Sequence, residues 1–267
     1  MTIDASDFKQ LEDTVWDCAR LARSLQCEIH RTYKSDGSVL TETDLKISRI
    51  VEDCITRLFP SCSFVCEETP VIRKKDSPYT FVLDPVDGTD VYSQGLPSFA
   101  VALGILDRNL KPCGALIAAP RFGLAREELL VSLQPGGRLM IDGRPFEAGP
   151  DKDIIHQITL GSNDHARLDF THFDAKIRTF GSSIIHLLAP VVYSSIQACI
   201  NQPSYVWDIA ASHAVLLSQG MDISYYDGSQ FTYTDSFVYG KEKYRMEICA
   251  GTEKGRSSLR SMLPLRA

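Results

Sequence analysis

Phe81-Val82-Leu83-Asp84-Pro85-Val86-Asp87-Gly88-Thr89 is the stretch on which the reading of this chain turns. Three β-favouring apolar residues run straight into two carboxylates spaced three positions apart, with a proline between them and a glycine after. Pro85 lacks the N–H that a central ladder needs, so a strand over Phe81, Val82 and Leu83 is expected to stop there and give way to a turn. Gly88 admits a positive φ or the close approach of a ligand, and Thr89 begins the next segment with its hydroxyl and N–H facing the strand end. Such a place suits an anion. The same residues also make a good β-turn, because Asp and Gly favour turns for purely local reasons.

Two further acidic features bear on that choice. Glu67-Glu68 follows the strand-like Ser63-Phe64-Val65-Cys66, and Trp207-Asp208 heads a helical pattern far downstream. Each alone has an ordinary reading: paired glutamates form a solvated face, and an Asp at a helix start is a cap that complements the dipole. Together with Asp84 and Asp87 they place four carboxylates at the ends of strands and helices, where they repel one another unless cations hold them. Hard oxygen donors select Mg²⁺, Mn²⁺ or Ca²⁺ over zinc, and Mg²⁺ leaves coordination positions to water and phosphate. The pattern points to phosphate chemistry.

In this order the motifs resemble the inositol monophosphatase superfamily of metal-dependent, lithium-sensitive phosphomonoesterases. The resemblance extends to Thr43-Asp44 near the start of the second helix and Gly181-Ser182-Ser183 before a later one. It implies a layered α/β/α/β/α sandwich and two or three Mg²⁺ per site, with Mn²⁺ able to substitute. Glu67, Asp84 and the carbonyl of Val86 would hold one ion. Asp84, Asp87 and Asp208 would hold a second, and a third would lie near Glu67 and Asp44. Thr89, oriented by Asp44, would take a proton from the attacking water; the N–H groups of Gly88 and Thr89 would bind phosphate oxygens, with Glu68 behind the ligands. Gly181, Ser182 and Ser183 would contact the organic part of the substrate, although this segment also reads as a plain helix cap.

Substrate identity divides the readings. In inositol monophosphatases a Glu seven positions before the metal-binding Asp of the Trp-Asp pair contacts sugar hydroxyls; here that position is Asn201. The Gly-Ser-Ser pattern and the Trp207–Ala214 run resemble 3'(2'),5'-bisphosphate nucleotidases, yet Asp90 stands where those have Lys, and an anion beside a second phosphate is unfavourable. The expectation is a phosphatase for a monophosphorylated polyol or sugar, with the nucleotidase as alternative. A non-catalytic docking protein on the same fold is the alternative from another class, and the retained acids argue against it.

Composition agrees with an enzyme of this kind. At 267 residues, with 44% hydrophobic and 23% charged residues, the chain suits one or two domains with a sizeable core. A net charge of −6 speaks against a broad nucleic-acid surface. No charged segment followed by an apolar run opens the chain and no uncharged run approaches the ~18 residues of a membrane span, which predicts a cytoplasmic protein with neither nucleic acid nor membrane as partner. A homodimer is the expectation carried by the resemblance. The eight cysteines are scattered through apolar segments without CxxC spacing and read as reduced core residues. The six histidines show no ligand spacing, and His186 and His213 fall on apolar helical patterns.

Periodicity predicts a first helix over Phe8, Leu11, Val15, Cys18, Ala22 and Leu25, ending around His30 to Lys34. A turn-like, mobile Lys34-Ser35-Asp36-Gly37-Ser38 follows, then a second helix opened by Asp44 and stopped before Pro60. Strands are expected at 63–66, 80–83, 100–106, 116–119, 158–161, 177–180, 223–225 and 246–250. Helices are expected from Ser182 or Ser183 through Val191, and from Trp207 to a stop at Gly220. The Pro/Gly-rich 134–150 region reads as a chain of turns between two subdomains: 1–145 with most metal ligands, and 146–267 contributing Asp208 and substrate contacts.

Overall fold

The computed structural model describes residues 3–29, 31–33, 37, 39–123, 128–150 and 152–266. Lys34, Ser35, Asp36 and Ser38 of the turn-like stretch lie outside the described residues. Helices α1 (Ala5–Leu25) and α2 (Glu42–Leu58), with the short β1 (Thr32–Tyr33) and β2 (Val39–Leu40) between them, precede a seven-stranded sheet. Its strands β3 (Ser63–Cys66), β4 (Tyr79–Asp87), β5 (Ala100–Asp107), β6 (Pro112–Ala119), β7 (Leu129–Leu133), β8 (Met140–Ile141) and β9 (Arg144–Pro145) lie side by side in chain order, with α3 (Thr89–Ser93) between β4 and β5. Only β3 and β4 run parallel in this sheet. The second sheet is built from β10 (Gln157–Leu160), β11 (Lys176–Arg178), β12 (Ala198–Asn201), β13 (Asp222–Tyr225) and β14 (Ile248–Gly251), in the order β11-β10-β12-β14-β13. Helices α4 (Ser183–Val192), α5 (Ala210–Ser218), α6 (Asp235–Tyr239) and α7 (Glu253–Met262) complete the chain.

The elements stack in five layers. Helices α1 and α2 cover one face of the first sheet; α4 and α5 fill the space between the sheets; α7 lies on the outer face of the second. Side-chain periodicity assigns each residue to its layer. On β5, Val101, Leu103 and Ile105 pack toward α1 and α2, while Ala100 and Ala102 face the middle layer. On β6, Leu116 and Ala118 face the outer helices, and Ala115, Ile117 and Ala119 the inner. Strands covered on both faces read as continuous apolar runs, and α4, enclosed between two sheets, is apolar all round. This is the α/β/α/β/α sandwich expected from the sequence.

Several boundaries differ from the expectation. Helix α1 ends at Leu25 and tightens into a 3₁₀ turn over Gln26–Glu28. There the buried Gln26 side chain donates to the carbonyls of Tyr92 and Leu96 at 3.0 and 2.8 Å and draws the chain off the helix axis. Strand β4 does not stop at Pro85 but continues to Asp87 through an irregularity in its pairing with β5. The 134–150 region is not all turns: β8 and β9 form a hairpin whose two-residue loop, Asp142 and Gly143, has positive φ at both positions, so the first sheet extends to Pro145. Helix α5 begins at Ala210, leaving Trp207 and Asp208 in the preceding turn. Strands β7 and β12 and helix α7 were not anticipated.

Small residues let the middle layer approach closely. A Cβ on Gly104 of β5 would lie 2.8 Å from both the Ala210 Cβ and the Ala211 backbone nitrogen, so α5 rests on bare backbone. Gly104→Ala is expected to destabilise the protein by about 2–3 kcal/mol, because neither strand nor helix can withdraw without disturbing its other packed face. A urea midpoint within error of wild type, at unchanged m value, would contradict that packing.

His186 of α4 is 2% exposed, and its Nε2 accepts the N–H of Phe180 at 2.7 Å, which leaves the neutral ring's proton on Nδ1. Burial pushes its pKa down to about 4. In the unfolded chain the ring takes up a proton near pH 6.5 and in the folded protein only near 4, so its contribution is intact above pH 6.5 and is lost on acidification. Relative to His186→Gln, which keeps an acceptor but cannot be protonated, wild type should lose about 3 kcal/mol between pH 7 and pH 4. Parallel pH profiles for the two proteins in urea titrations would refute it.

Candidate active site

In a regular strand, residues three apart point to opposite faces. Asp84 and Asp87 escape that rule through the irregularity in β4. Asp84 pairs with Ala102 and Asp87 with Ala100, so three steps along β4 match two along β5. Because Ala100 and Ala102 share the face turned toward the middle layer, both aspartates are brought to that side. Pro85 sits inside the bulge, where a missing N–H costs no ladder bond. The Val86 N–H turns back to donate to Asp84 Oδ1 at 3.1 Å.

Asp208, in the turn before α5, meets them from the middle layer. One carboxylate oxygen from each of Asp84, Asp87 and Asp208 lies within 4.8 Å of the others. Asp87 is held by the start of α4: the Ser182 hydroxyl donates to its Oδ2, the Ile184 N–H to the same oxygen at 2.9 Å, and the Ser183 N–H to Oδ1 at 3.2 Å. Ser182 is also the N-cap, its hydroxyl oxygen accepting from the Ile185 N–H at 3.1 Å. A carboxylate at this helix end also meets the positive pole of the dipole. Asp208 Oδ2 accepts the Tyr205 N–H at 2.7 Å.

Burial and mutual repulsion raise all three carboxyl groups. Asp84 is pushed well above the usual carboxylate range by desolvation and then by the charges of Glu67, Asp87 and Asp208. Asp87 is raised by burial to about 6 against the opposing hydrogen bonds from Ser182, Ile184 and Ser183, and Asp208 by burial and then Asp87 to about 7. Glu67 and Glu68 are half-buried on the segment leaving β3, and the Glu67 N–H donates to the Leu83 carbonyl at 3.4 Å.

Asp44 is completely buried at the third position of α2, where it forms a capping box with Thr41: its Oδ2 accepts from both the backbone N–H and the hydroxyl of Thr41. Its other oxygen, Oδ1, lies 3.4 Å from the Thr89 hydroxyl, which also donates to the Val86 carbonyl at 2.8 Å. Desolvation raises Asp44 to about 6. Gly88, with φ +84°, precedes Thr89 at the start of α3; a Cβ there would come within 3.1 Å of the Gly181 carbonyl. Gly181, at φ +82°, has even less room, since its Cβ would lie 2.4 Å from Val91 Cγ1. These two glycines allow the end of β4 and the start of α4 to cross.

A cavity of about 550 Å³ opens over this cluster. Glu67, Asp84, Val86, Asp87, Gly88, Thr89, Gly181, Ser183, Asn201 and Asp208 all line it, together with Asp90, Ser162, Asn163, His186 and Gln202. Ser182 is fully buried and turned to Asp87, and Asp44 lies behind Thr89. Asn201, at the end of β12, is 2% exposed, and its Nδ2 has no hydrogen-bond partner. A larger open groove of about 1280 Å³ between the β8–β9 hairpin and α7 contains no such acidic cluster among the described residues. Ser162, Asn163, Gln202 and the role of Ser182 toward Asp87 were not foreseen, because no local pattern marks a contact made across 95 residues.

Residues 9–254 match the model of the inositol monophosphatase family. The inositol-1-monophosphatase of Mesorhizobium japonicum is 26% identical over 236 residues, covering 84% of this chain and 86% of that protein. The 3'(2'),5'-bisphosphate nucleotidase CysQ of Escherichia coli is 23% identical over 232 residues, covering 80% and 87%. The extragenic suppressor protein suhB of Bartonella henselae superposes with a TM-score of 0.76 at 20% identity, covering 94% of this chain and 95% of that one. With the family model spanning nearly the whole fold and its acidic centre, the chain belongs to the inositol monophosphatase family and is a phosphomonoester hydrolase.

Proposed function

We propose that this phosphatase works with Mg²⁺ and acts on the monophosphate of a small polyol or sugar. The observation that carries the reading is the meeting of Asp84, Asp87 and Asp208 in one cavity with Thr89. The donors fit the ion: they are carboxylate oxygens throughout, with neither thiolate nor imidazole in the cluster, and buried acids raised by mutual repulsion are stabilised by a divalent cation. Glu67, Asp84 and the Val86 carbonyl would take one ion, and Asp84, Asp87 and Asp208 a second; a third would lie toward Glu67 and Asp44. When bound, such ions offset the carboxylate charge and make the phosphoryl group more electrophilic.

The chain's own groups supply position and a proton path. The N–H groups of Gly88 and Thr89 point phosphate oxygens toward the end of β4. Thr89 Oγ takes a proton from the attacking water and gives its own to Asp44 Oδ1, which moves the hydroxyl's hydrogen from the Val86 carbonyl to the carboxylate. Asp44 is free to receive it because the Thr41 hydrogen bonds occupy its other oxygen. The leaving oxygen departs toward Ser183 of α4 and Asn201 of the second sheet and takes its proton from a second water in the cavity, while the proton on Asp44 returns through Thr89 to solvent.

Two features support a neutral alcohol over one carrying a second phosphate. No lysine or arginine lines the cavity among the described residues, and Asp90 stands on its rim. The unpartnered Asn201 amide offers a donor to a hydroxyl, ether or carbonyl oxygen. Phosphate release from inositol 1-phosphate, glucose 1-phosphate, fructose 1,6-bisphosphate and adenosine 3',5'-bisphosphate in Mg²⁺ decides between the readings. Preference for adenosine 3',5'-bisphosphate would replace the polyol reading with the nucleotidase one.

Asp87→Asn is expected to cut phosphate release by about a hundredfold or more while thermal unfolding in metal-free buffer stays cooperative, since one ligand charge is lost and carboxylate repulsion falls with it. Activity within tenfold of wild type would remove Asp87 from the metal centre. Thr89→Ala should lower kcat by roughly 10²–10⁴-fold with the Mg²⁺ half-saturation concentration unchanged, as expected for loss of a proton acceptor. A large shift in Mg²⁺ dependence at constant kcat would make Thr89 a support of the metal site instead.

A further inference from the structure

Glu67 follows a strand of the first sheet and Asp208 precedes a helix of the middle layer, and one side chain joins their two segments. Lys241 Nζ donates to the carbonyl oxygens of Glu67 at 3.0 Å and Thr69 at 2.9 Å. The same ammonium lies 5.4 Å from the centroid of the Trp207 ring, within cation–π range. Trp207 is the neighbour of Asp208 and stacks on Tyr205 at 4.6 Å, and the Tyr205 N–H is the donor to Asp208. A continuous set of contacts therefore runs from the backbone of one acid to the carboxylate of another.

The surrounding backbone explains why a lysine is needed there. Residues 67–69 form a bend between the end of β3 and the Phe64–Ile72 bridge, outside the sheet's ladder, and Pro70 has no N–H to offer. The carbonyls of Glu67 and Thr69 find their donor in the ammonium. Lys241 itself follows the end of α6 at φ +53°, a left-handed position where Gly or Asn is the usual residue. Nothing in that local conformation calls for a long cationic side chain; its reach to Glu67, Thr69 and Trp207 does.

We propose that Lys241 is a positioning residue for the metal centre, clamping the bend that carries Glu67 against the Trp207-Asp208 segment and so fixing the spacing of acids from the two layers. The inference rests on the reading of Glu67 and Asp208 as metal ligands. Losing the clamp removes no ligating group but lets the bend that carries Glu67 move away from the others, so cation affinity falls while chemistry at saturating cation survives. A residue that merely stapled two loops would lower thermal stability and leave cation affinity alone.

The chain has two tryptophans, so Trp16→Phe leaves Trp207 as the single tryptophan reporter beside the site. In that background Mg²⁺ is titrated by Trp207 emission and, separately, by phosphate release from p-nitrophenyl phosphate. Lys241→Met is expected to raise the half-saturating Mg²⁺ concentration about tenfold in both titrations, with kcat at saturating Mg²⁺ within about threefold of the parent. Lys241→Arg, which can still donate to both carbonyls, should restore the parent value. Should Lys241→Met fail to fold, Lys241→Gln is read in the same way. Glu67→Gln serves as the control for the underlying reading and should shift the titration at least as far. A shift with Glu67→Gln but none with Lys241→Met, whatever happens to the melting temperature, overturns the clamp; no shift with either overturns the assignment of Glu67 as a ligand.

Discussion

The structure is organised around the repulsion of three carboxylates gathered at the junction of two layers. Charges about 5 Å apart at an effective dielectric near 20 repel by about 3 kcal/mol per pair. Three such pairs when fully ionised approach the whole stability of an ordinary domain. Their arrangement persists because each acid has fixed donors: Val86 N–H on Asp84, the start of α4 on Asp87, Tyr205 N–H on Asp208. Those donors come from backbone that the fold already holds rigid, so the acids cannot separate without unravelling a strand end or a helix start. On the proposed reading, oxygen donors held this way against their own repulsion form the site of a hard divalent cation.

The bulge in β4 is the device that makes the acidic pair usable. In a regular strand with the same three-residue spacing and no bulge, one of them would point into the apolar layer under α1 and α2, among Phe81 and Leu83. With it, both face the middle layer, and Gly88 follows at a positive φ to turn the chain into α3 with Thr89 above Asp44. Pro85 helps by lacking a ladder donor where the ladder is broken. The bulge aligns the acids, the glycines at 88 and 181 let two backbones cross, and the capping box on α2 places Asp44 behind Thr89.

Much of this was legible in the sequence because it is local. The apolar periodicity of α1 and α2, the buried runs of β3, β5 and β6, and the acid-rich strand ends are written within a few residues each, and the order of the acidic motifs carried the resemblance that implied the layered fold. The errors also have local causes. Pro85 was read as a strand stop by the general rule for central strands, whereas at a bulge that rule does not apply. Asp142-Gly143 was read as one turn in a chain of turns, although the pair is a strong hairpin signal and here joins β8 to β9. Strand β12 was hidden in a short run, Ala198-Cys199-Ile200-Asn201, too brief to show a period. What a sequence cannot display is a contact between distant segments: Ser182 on Asp87, Gln26 on the loop after α3, or Lys241 on the bend after β3.

The division of labour between the layers follows from that geometry. The first sheet supplies Asp84, Asp87 and the bend with Glu67, while the middle layer supplies the donors that hold Asp87 and the third acid, Asp208. Asn201 of the second sheet and Ser162, Asn163 and Gln202 from its loops form the far wall of the cavity. On the proposed reading the phosphate is gripped by the first sheet and the alcohol is read by the second. Substitutions on the far wall can then alter which alcohol is accepted without disturbing the carboxylates. On the same proposed reading, the wall's amide and hydroxyl groups, which donate and accept alike, suit a ring of neutral oxygen functions better than a second dianion. Asn201 makes the sharpest demand: its amide is nearly sealed from water, and a substrate oxygen that meets Nδ2 gains a hydrogen bond which the protein alone leaves unmade.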